Sequence, residues 1–187
     1  TLDEAYASYE FGDITRELYA FFWNEFCDWY IELSKARLVG EGEDKLTCQR
    51  NLVFVLDTAL RLLHPIMPFV TEQIYQELPG EKETEFLMMA SWPDADALAG
   101  YVDKEAERAI EMDTQSVSSI RSTRARYGIS PRVELSISVK PVNEDMAVLF
   151  TEQQSLIKAL ANIAVESIDV NLERPDESTM CLAEGIE

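Results

Sequence analysis

The run Phe21-Phe22-Trp23-Asn24-Glu25-Phe26-Cys27-Asp28-Trp29-Tyr30 sets the architecture of the chain. Extended over residues 12–38, it places Ile14, Leu18, Phe22, Phe26, Trp29 and Leu33 at steps of three or four, one face of a helix. Phe21, Trp23, Cys27, Tyr30 and Ile31 fill much of the remaining circumference. A helix this apolar predicts packing on several sides, as the axle of a helical bundle. Asn24, Glu25 and Asp28 interrupt the apolar run, which is too short to span a bilayer. Beside the aromatics, Glu17, Asn24, Asp28, Glu32 and Lys35 form a polar seam at helical spacing. Such a row is either the solvated face of a half-buried helix or a groove that meets a partner.

Working outward, Thr1-Leu2-Asp3-Glu4 has the form of a capping box and predicts a short helix carrying Tyr6 and Tyr9 to Gly12, with Asp13 capping the axial helix. A third helix is expected over 45–64, with Leu52, Val53, Leu56, Leu60 and Leu63 inward and Asp57 paired with Arg61 one turn on. His64-Pro65 must stop or kink it. A fourth helix follows through Pro68 to Leu78, with Ile66, Val70 and Ile74 inward. Residues 80–100 read as irregular, with Trp92 as a plug against the bundle. A long helix over 101–127 turns Val102, Ala106, Ile110, Val117 and Ile120 inward and stops at Gly128.

At Pro131 the period changes from near 3.6 to two: Val133, Leu135, Ile137 and Val139 alternate with polar residues, a half-buried strand. A helix over 143–162 and strands over 164–170 and 178–183 complete a β-α-β-β order. The expected fold is α+β, mainly α: an antiparallel helical bundle over 1–128, then a small β-α-β-β module over 129–187, truncated at its C-terminus.

The 35 acidic residues against 16 basic ones, a formal charge of −19, argue against non-specific binding to nucleic acid or anionic membrane. Cys27, Cys48 and Cys181 lack Cys-x-x-Cys spacing and read as packed thiols in a reducing, cytoplasmic compartment. No signal peptide or spanning segment is visible. A chain opening at Thr1 and stopping just after an apparent strand is expected to be a piece of a longer polypeptide.

A single histidine, His64 at a helix end, reads as structural, and the scattered glycines form no phosphate loop. No catalytic or metal-ligating set stands out, so the chain by itself does not read as a catalyst. One basic concentration interrupts the acidic background: Arg121, Arg124, Arg126 and Arg132 are four of the ten arginines. They suit either the C-terminal end of a helix with ion pairs around it or a phosphate clamp. Lys35 and Arg37 make a smaller version of the same case.

The segment from Phe22 to Glu32 resembles the valyl-tRNA synthetase family, in the helical anticodon-binding domain of class I aminoacyl-tRNA synthetases. Leu63-His64-Pro65-Ile66-Met67-Pro68-Phe69-Val70-Thr71-Glu72 resembles the next block, shared with the isoleucyl and leucyl enzymes, and Ser91-Trp92-Pro93 the block after it. Ile120 through Pro131 looks like the passage into a small α/β module. The resemblance implies a parent ligase that joins valine to its tRNA using ATP and magnesium on a catalytic domain of the same chain. His-Ile-Gly-His-like and Lys-Met-Ser-Lys-Ser-like motifs are absent here, so no cofactor is expected on this segment, nor any membrane partner. The expected function is non-catalytic binding of the tRNA anticodon stem-loop. Asn24 and Asp28 would lie on the polar seam, with Lys35, Arg121, Arg124, Arg126 and Arg132 at the phosphate backbone. The alternatives are a structural or protein-interaction module without RNA contact, and the same domain of the isoleucyl or leucyl enzyme.

Overall fold

Phe11 to Val39 forms one unbroken rod in the computed structural model, which describes residues 2–174, 178–183 and 185–186. Before the rod, α1 spans Leu2–Ala7. The rod itself is α2 (Phe11–Tyr19), a π-helical stretch (Ala20–Tyr30) and α3 (Ile31–Val39), joined through residues of right-handed helical conformation. The first helix stops at Ala7, short of the expected Gly12, because Tyr9 takes a left-handed φ of 59°. The Glu10 amide then donates to Ala5 O and the Tyr9 amide to Tyr6 O, closing a Schellman end. Asp13 lies within the first turn of α2, not at its cap.

The π winding explains which face of the rod is covered. Ile14, Leu18, Phe22, Phe26, Tyr30 and Ser34 recur every four residues, and Ile14, Leu18, Phe26 and Ser34 are buried. In an α-helix each step of four drifts by about 40° around the axis. The wider i→i+5 winding of Ala20–Tyr30 holds the middle of this file in line. Its rings stack in succession, Phe22 on Phe26 at 5.7 Å and Phe26 on Tyr30 at 5.9 Å. The expected stripe through Trp29 and Leu33 is therefore only half-buried, and Trp23 faces out. Packing on several sides is not what the rod's middle shows, since Phe26 is its one buried residue.

Residues 1–100 form one compact unit. Here α4 (Glu43–Leu63) and α5 (Pro68–Glu77) follow the rod, and a 3-10 turn (Leu87–Met89) and α6 (Ala95–Leu98) come after. Ala5, Ile14, Leu18 and Leu63 make one core, Leu60, Tyr75 and Leu87 a second. Asp57 does pair with Arg61, at 2.7 Å. Arg61 also reaches Glu83, whose carboxylate accepts from the Ser91 amide and hydroxyl. Bonds from Ser91 and then Arg61 pull the Glu83 pKa down to about 2. On α5 the inward residues are Thr71 and Tyr75, and the expected Ile66, Val70 and Ile74 are exposed. Polar anchors set this phase: the Thr71 hydroxyl donates to Met67 O, and the Tyr75 hydroxyl donates to Thr84 O. Trp92 packs edge-on against Tyr6 at 5.1 Å and donates to Asp3.

Residues 101–187 form the second compact unit, so packing divides the chain ahead of the period change near 128–131. Its long helix α7 (Lys104–Arg126) opens on Asp103, whose carboxylate accepts from the Glu105 and Ala106 amides. It closes in a Schellman turn at Gly128, φ 65°, with Ile129 donating to Arg124 O. Val117 and Ile120 are buried as expected, but Val102, Ala106 and Ile110 are exposed. Strand β1 (Leu135–Val139), helix α8 (Glu144–Ala161) and strand β2 (Ile163–Ile168) follow, with β1 parallel to β2. The expected third strand over 178–183 is absent from the described residues, which show only isolated bridges of Ile186 with Pro141 and Ala183. Part of the segment leading into it, residues 175–177, lies outside the described residues.

Candidate nucleic-acid interface

The exposed side of the rod carries its own aromatic file. Tyr19 and Trp23 are 59% and 52% exposed, and their rings stack at 6.2 Å with 14° between planes. Asn24 and Asp28 are both exposed on the stretch that follows. Two exposed, near-parallel rings beside an amide and a carboxylate can stack bases and bond to their edges. The sequence reading passed over Tyr19; its signal is the four-residue step to Trp23, the same step that orders the buried file. Burial and the neighbouring Asp28 push the Cys27 thiol pKa up, which favours the protonated thiol over the thiolate.

The cations at the end of the rod each pair with a carboxylate while staying exposed. Lys35 pairs with Glu32 within the seam. Arg37 donates from Nε and Nη2 to Asp44 Oδ1 at 3.0 and 2.7 Å, and that bond holds the Asp44 carboxyl below its usual range. This contact clasps the turn between α3 and α4.

The arginine concentration separates into two roles. Arg124 is 4% exposed, and its guanidinium donates to four backbone carbonyls: Ser130 and Val133 from Nη1, Ala161 and Asn162 from Nη2. The distances run 3.1, 2.8, 3.0 and 2.6 Å. Arg121 Nη2 joins it on the Leu160 carbonyl at 3.0 Å. Together they cap the carbonyl end of α8, where a cation is favoured by the helix dipole. Both terminal nitrogens of Arg124 are thus spent on backbone carbonyls and lie out of solvent, while its buried Nε has no partner among the described residues. Arg126 and Arg132 are exposed, and their side chains bond to none of the described residues. The structure thus places Asn24, Asp28 and Lys35 in the first unit and the four arginines in the second.

His64 is held by Thr71 Oγ1 at 2.8 Å; the Thr71 proton goes to Met67 O, so Nδ1 of the imidazole is the donor. Among the described residues no three His, Cys, Asp or Glu side chains are grouped to hold a metal ion, and no helix is long and apolar enough to cross a membrane.

The first unit thus carries an exposed ring pair on a helical rod, and the second carries exposed guanidinium groups at and after the end of α7. The family described as the anticodon-binding domain of tRNA ligase matches residues 1–139, and the chain belongs to that family. The relatives name one ligase in particular. A valine–tRNA ligase of Bacillus licheniformis is 34% identical over 188 residues, covering all of this chain and 21% of the relative. That of Halalkalibacterium halodurans is 35% identical over 181 residues, 96% of this chain and 20% of the relative. That of Petrotoga mobilis is 41% identical over 155 residues, 82% of this chain and 17% of the relative. The chain spans about a fifth of the length of the curated relatives it matches.

Proposed function

We propose that this chain is the non-catalytic, tRNA-binding part of a cytoplasmic valine–tRNA ligase and receives the anticodon stem-loop of valine tRNA. In this reading the Tyr19–Trp23 pair stacks on unpaired bases, and Asn24 and Asp28 bond to base edges. Lys35, Arg121, Arg126 and Arg132 meet the phosphate backbone, while Arg124 positions the loop that carries Arg132. Functionally, residues 1–128 serve as the anticodon-reading bundle and 129–187 as the appended module. The catalytic domain of the same polypeptide would supply the ATP- and magnesium-dependent joining of valine to tRNA. This chain offers ATP no glycine-rich phosphate loop.

The observation that carries the proposal is the family match over residues 1–139, coinciding with an exposed, stacked ring pair on the rod. The test is the affinity of the full-length ligase for valine tRNA across a salt series. Replacing Arg126 and Arg132 together by Gln is expected to flatten the slope of log K against log salt by about 0.7–0.9 per lost phosphate contact. An unchanged slope and unchanged tRNA charging would instead favour a purely structural module.

A further inference from the structure

A hollow of about 730 Å³ opens on the strand pair of the second unit, within the size range of ligand sites. Its lining differs in character from the rest of this acidic chain. Lys140 and Arg174 stand in it, with Glu166 the one carboxylate among the described residues of its lining. Hydroxyls from Tyr127, Ser136 and Ser138 share the wall. Ser136, Ser138 and Lys140 are alternate residues, and so fall on one side of the chain as it runs through β1 and just past its end. Pairing skips Glu166, since Ile137 faces Val165 and Ser138 faces Ser167. That bulge sets the one acid beside the slip in register.

The donors here are open for use. Lys140 is exposed and bonds to none of the described residues. Arg174 spends Nη2 on the Ser178 carbonyl at 2.6 Å and keeps Nη1 free among the described residues. The Tyr127 hydroxyl accepts from Thr179 at 3.2 Å and retains its own proton to donate. Residues 121–140, which supply half of this wall, carry five cations against one acid, Glu134, in a chain of formal charge −19.

Two cations and several hydroxyl donors lining one hollow match the chemistry of a phosphate ester flanked by sugar hydroxyls. We propose that this hollow binds a phosphodiester segment of RNA, a second RNA contact distinct from the rod. The inference rests on the reading that the parent ligase binds tRNA. A free nucleotide offers the same phosphate chemistry, so the test separates the two sources.

The full-length ligase and a Lys140→Gln/Arg174→Gln variant are titrated with valine tRNA across a salt series, with and without competing AMP. The variant is expected to lose about 0.7–0.9 per contact from the salt slope, roughly 1.5 units less steep in all, and Lys140→Arg to keep the Lys140 share. AMP is expected to leave binding unchanged. A wild-type slope retained by the double variant overturns the inference while leaving tRNA binding by the ligase intact. AMP displacing RNA from the wild type but not from the variant overturns the RNA source in favour of a nucleotide site. Absence of salt-dependent tRNA binding by the wild type removes the underlying reading, and this inference with it.

Discussion

The middle of the rod and the stretch after Ile120 make an instructive pair. Each is a run of one chemistry, rings in Ala20–Tyr30 and guanidinium groups in residues 121–132, and each divides into an inner and an outer half. Phe26 is buried while Trp23 stands out; Arg124 is buried while Arg126 stands out. Residue type names the contacts a side chain could make, and helical phase decides which it makes. In the rod the phase follows a step of four, kept straight by π winding. At the end of α7 it turns one arginine toward the open carbonyls of α8 and leaves its neighbour two positions on in water.

The largest expected effect tests the inner arginine. Arg124→Ala removes four charge-assisted bonds to backbone carbonyls, one buried and three part-buried, and should destabilise the second unit by roughly 4–5 kcal/mol, read as a collapse of the denaturation midpoint. Arg124→Lys should recover only part of that, because an ammonium cannot reproduce the planar fork. If instead the alanine variant keeps its midpoint and loses only RNA affinity, the division of roles between Arg124 and Arg126 is wrong.

Next comes the ring pair. Phe26→Ala should lose roughly 3–4 kcal/mol of stability, whereas Trp23→Ala should change it by less than about 1 kcal/mol. Equal losses in urea melts would break the two-file description of the rod.

A third effect is smaller per step and depends on pH. Asp113 on α7 is fully buried with neither carboxylate oxygen bonded, and burial pushes its pKa up to about 7. Between its unfolded value near 3.8 and about 7, the folded chain holds the proton that the unfolded chain has released. Stability from this group is therefore complete at low pH and is lost as pH rises toward 7, by at most about 1.4 kcal/mol per pH unit. Asp113→Asn should flatten that slope in denaturation curves taken from pH 4 to pH 8. A variant with the same pH slope as the wild type would remove Asp113 as its source.

The weakest expected change concerns Glu83. Its carboxyl is depressed to about 2, so its contribution is present above its unfolded value near 4.5 and fades as pH falls toward 2. Glu83→Gln should shorten the acid limb of the pH profile slightly and leave the neutral region unchanged.

Much of the fold was legible because local signals agreed with the packing. The change of period at Pro131, the stop at Gly128 and the Asp57–Arg61 pair all came through in the structure. The inward faces of α5 and of the first half of α7 did not. A 3.6-residue period selects apolar positions, while α5 is phased by the hydroxyls of Thr71 and Tyr75. In the candidate interface, Asn24, Asp28, Arg126 and Arg132 were legible as exposed polar side chains. For Arg124 the sequence left a helix-end role and a phosphate clamp both open, because its partners, the carbonyls of Ala161 and Asn162, lie more than thirty residues away and leave no mark in the local sequence. Tyr19 was missed because the reading followed the apolar stripe, and the four-residue step from Tyr19 to Trp23 lies outside it.

The most direct measurement pairs affinity with stability in one variant, Trp23→Leu in the full-length ligase. The account predicts a denaturation midpoint equal to that of the wild type and a Kd for valine tRNA roughly tenfold weaker, the loss of one stacked base at about 1.4 kcal/mol. A lowered midpoint with unchanged Kd would contradict it, making Trp23 a packing residue and the exposed file no platform for RNA.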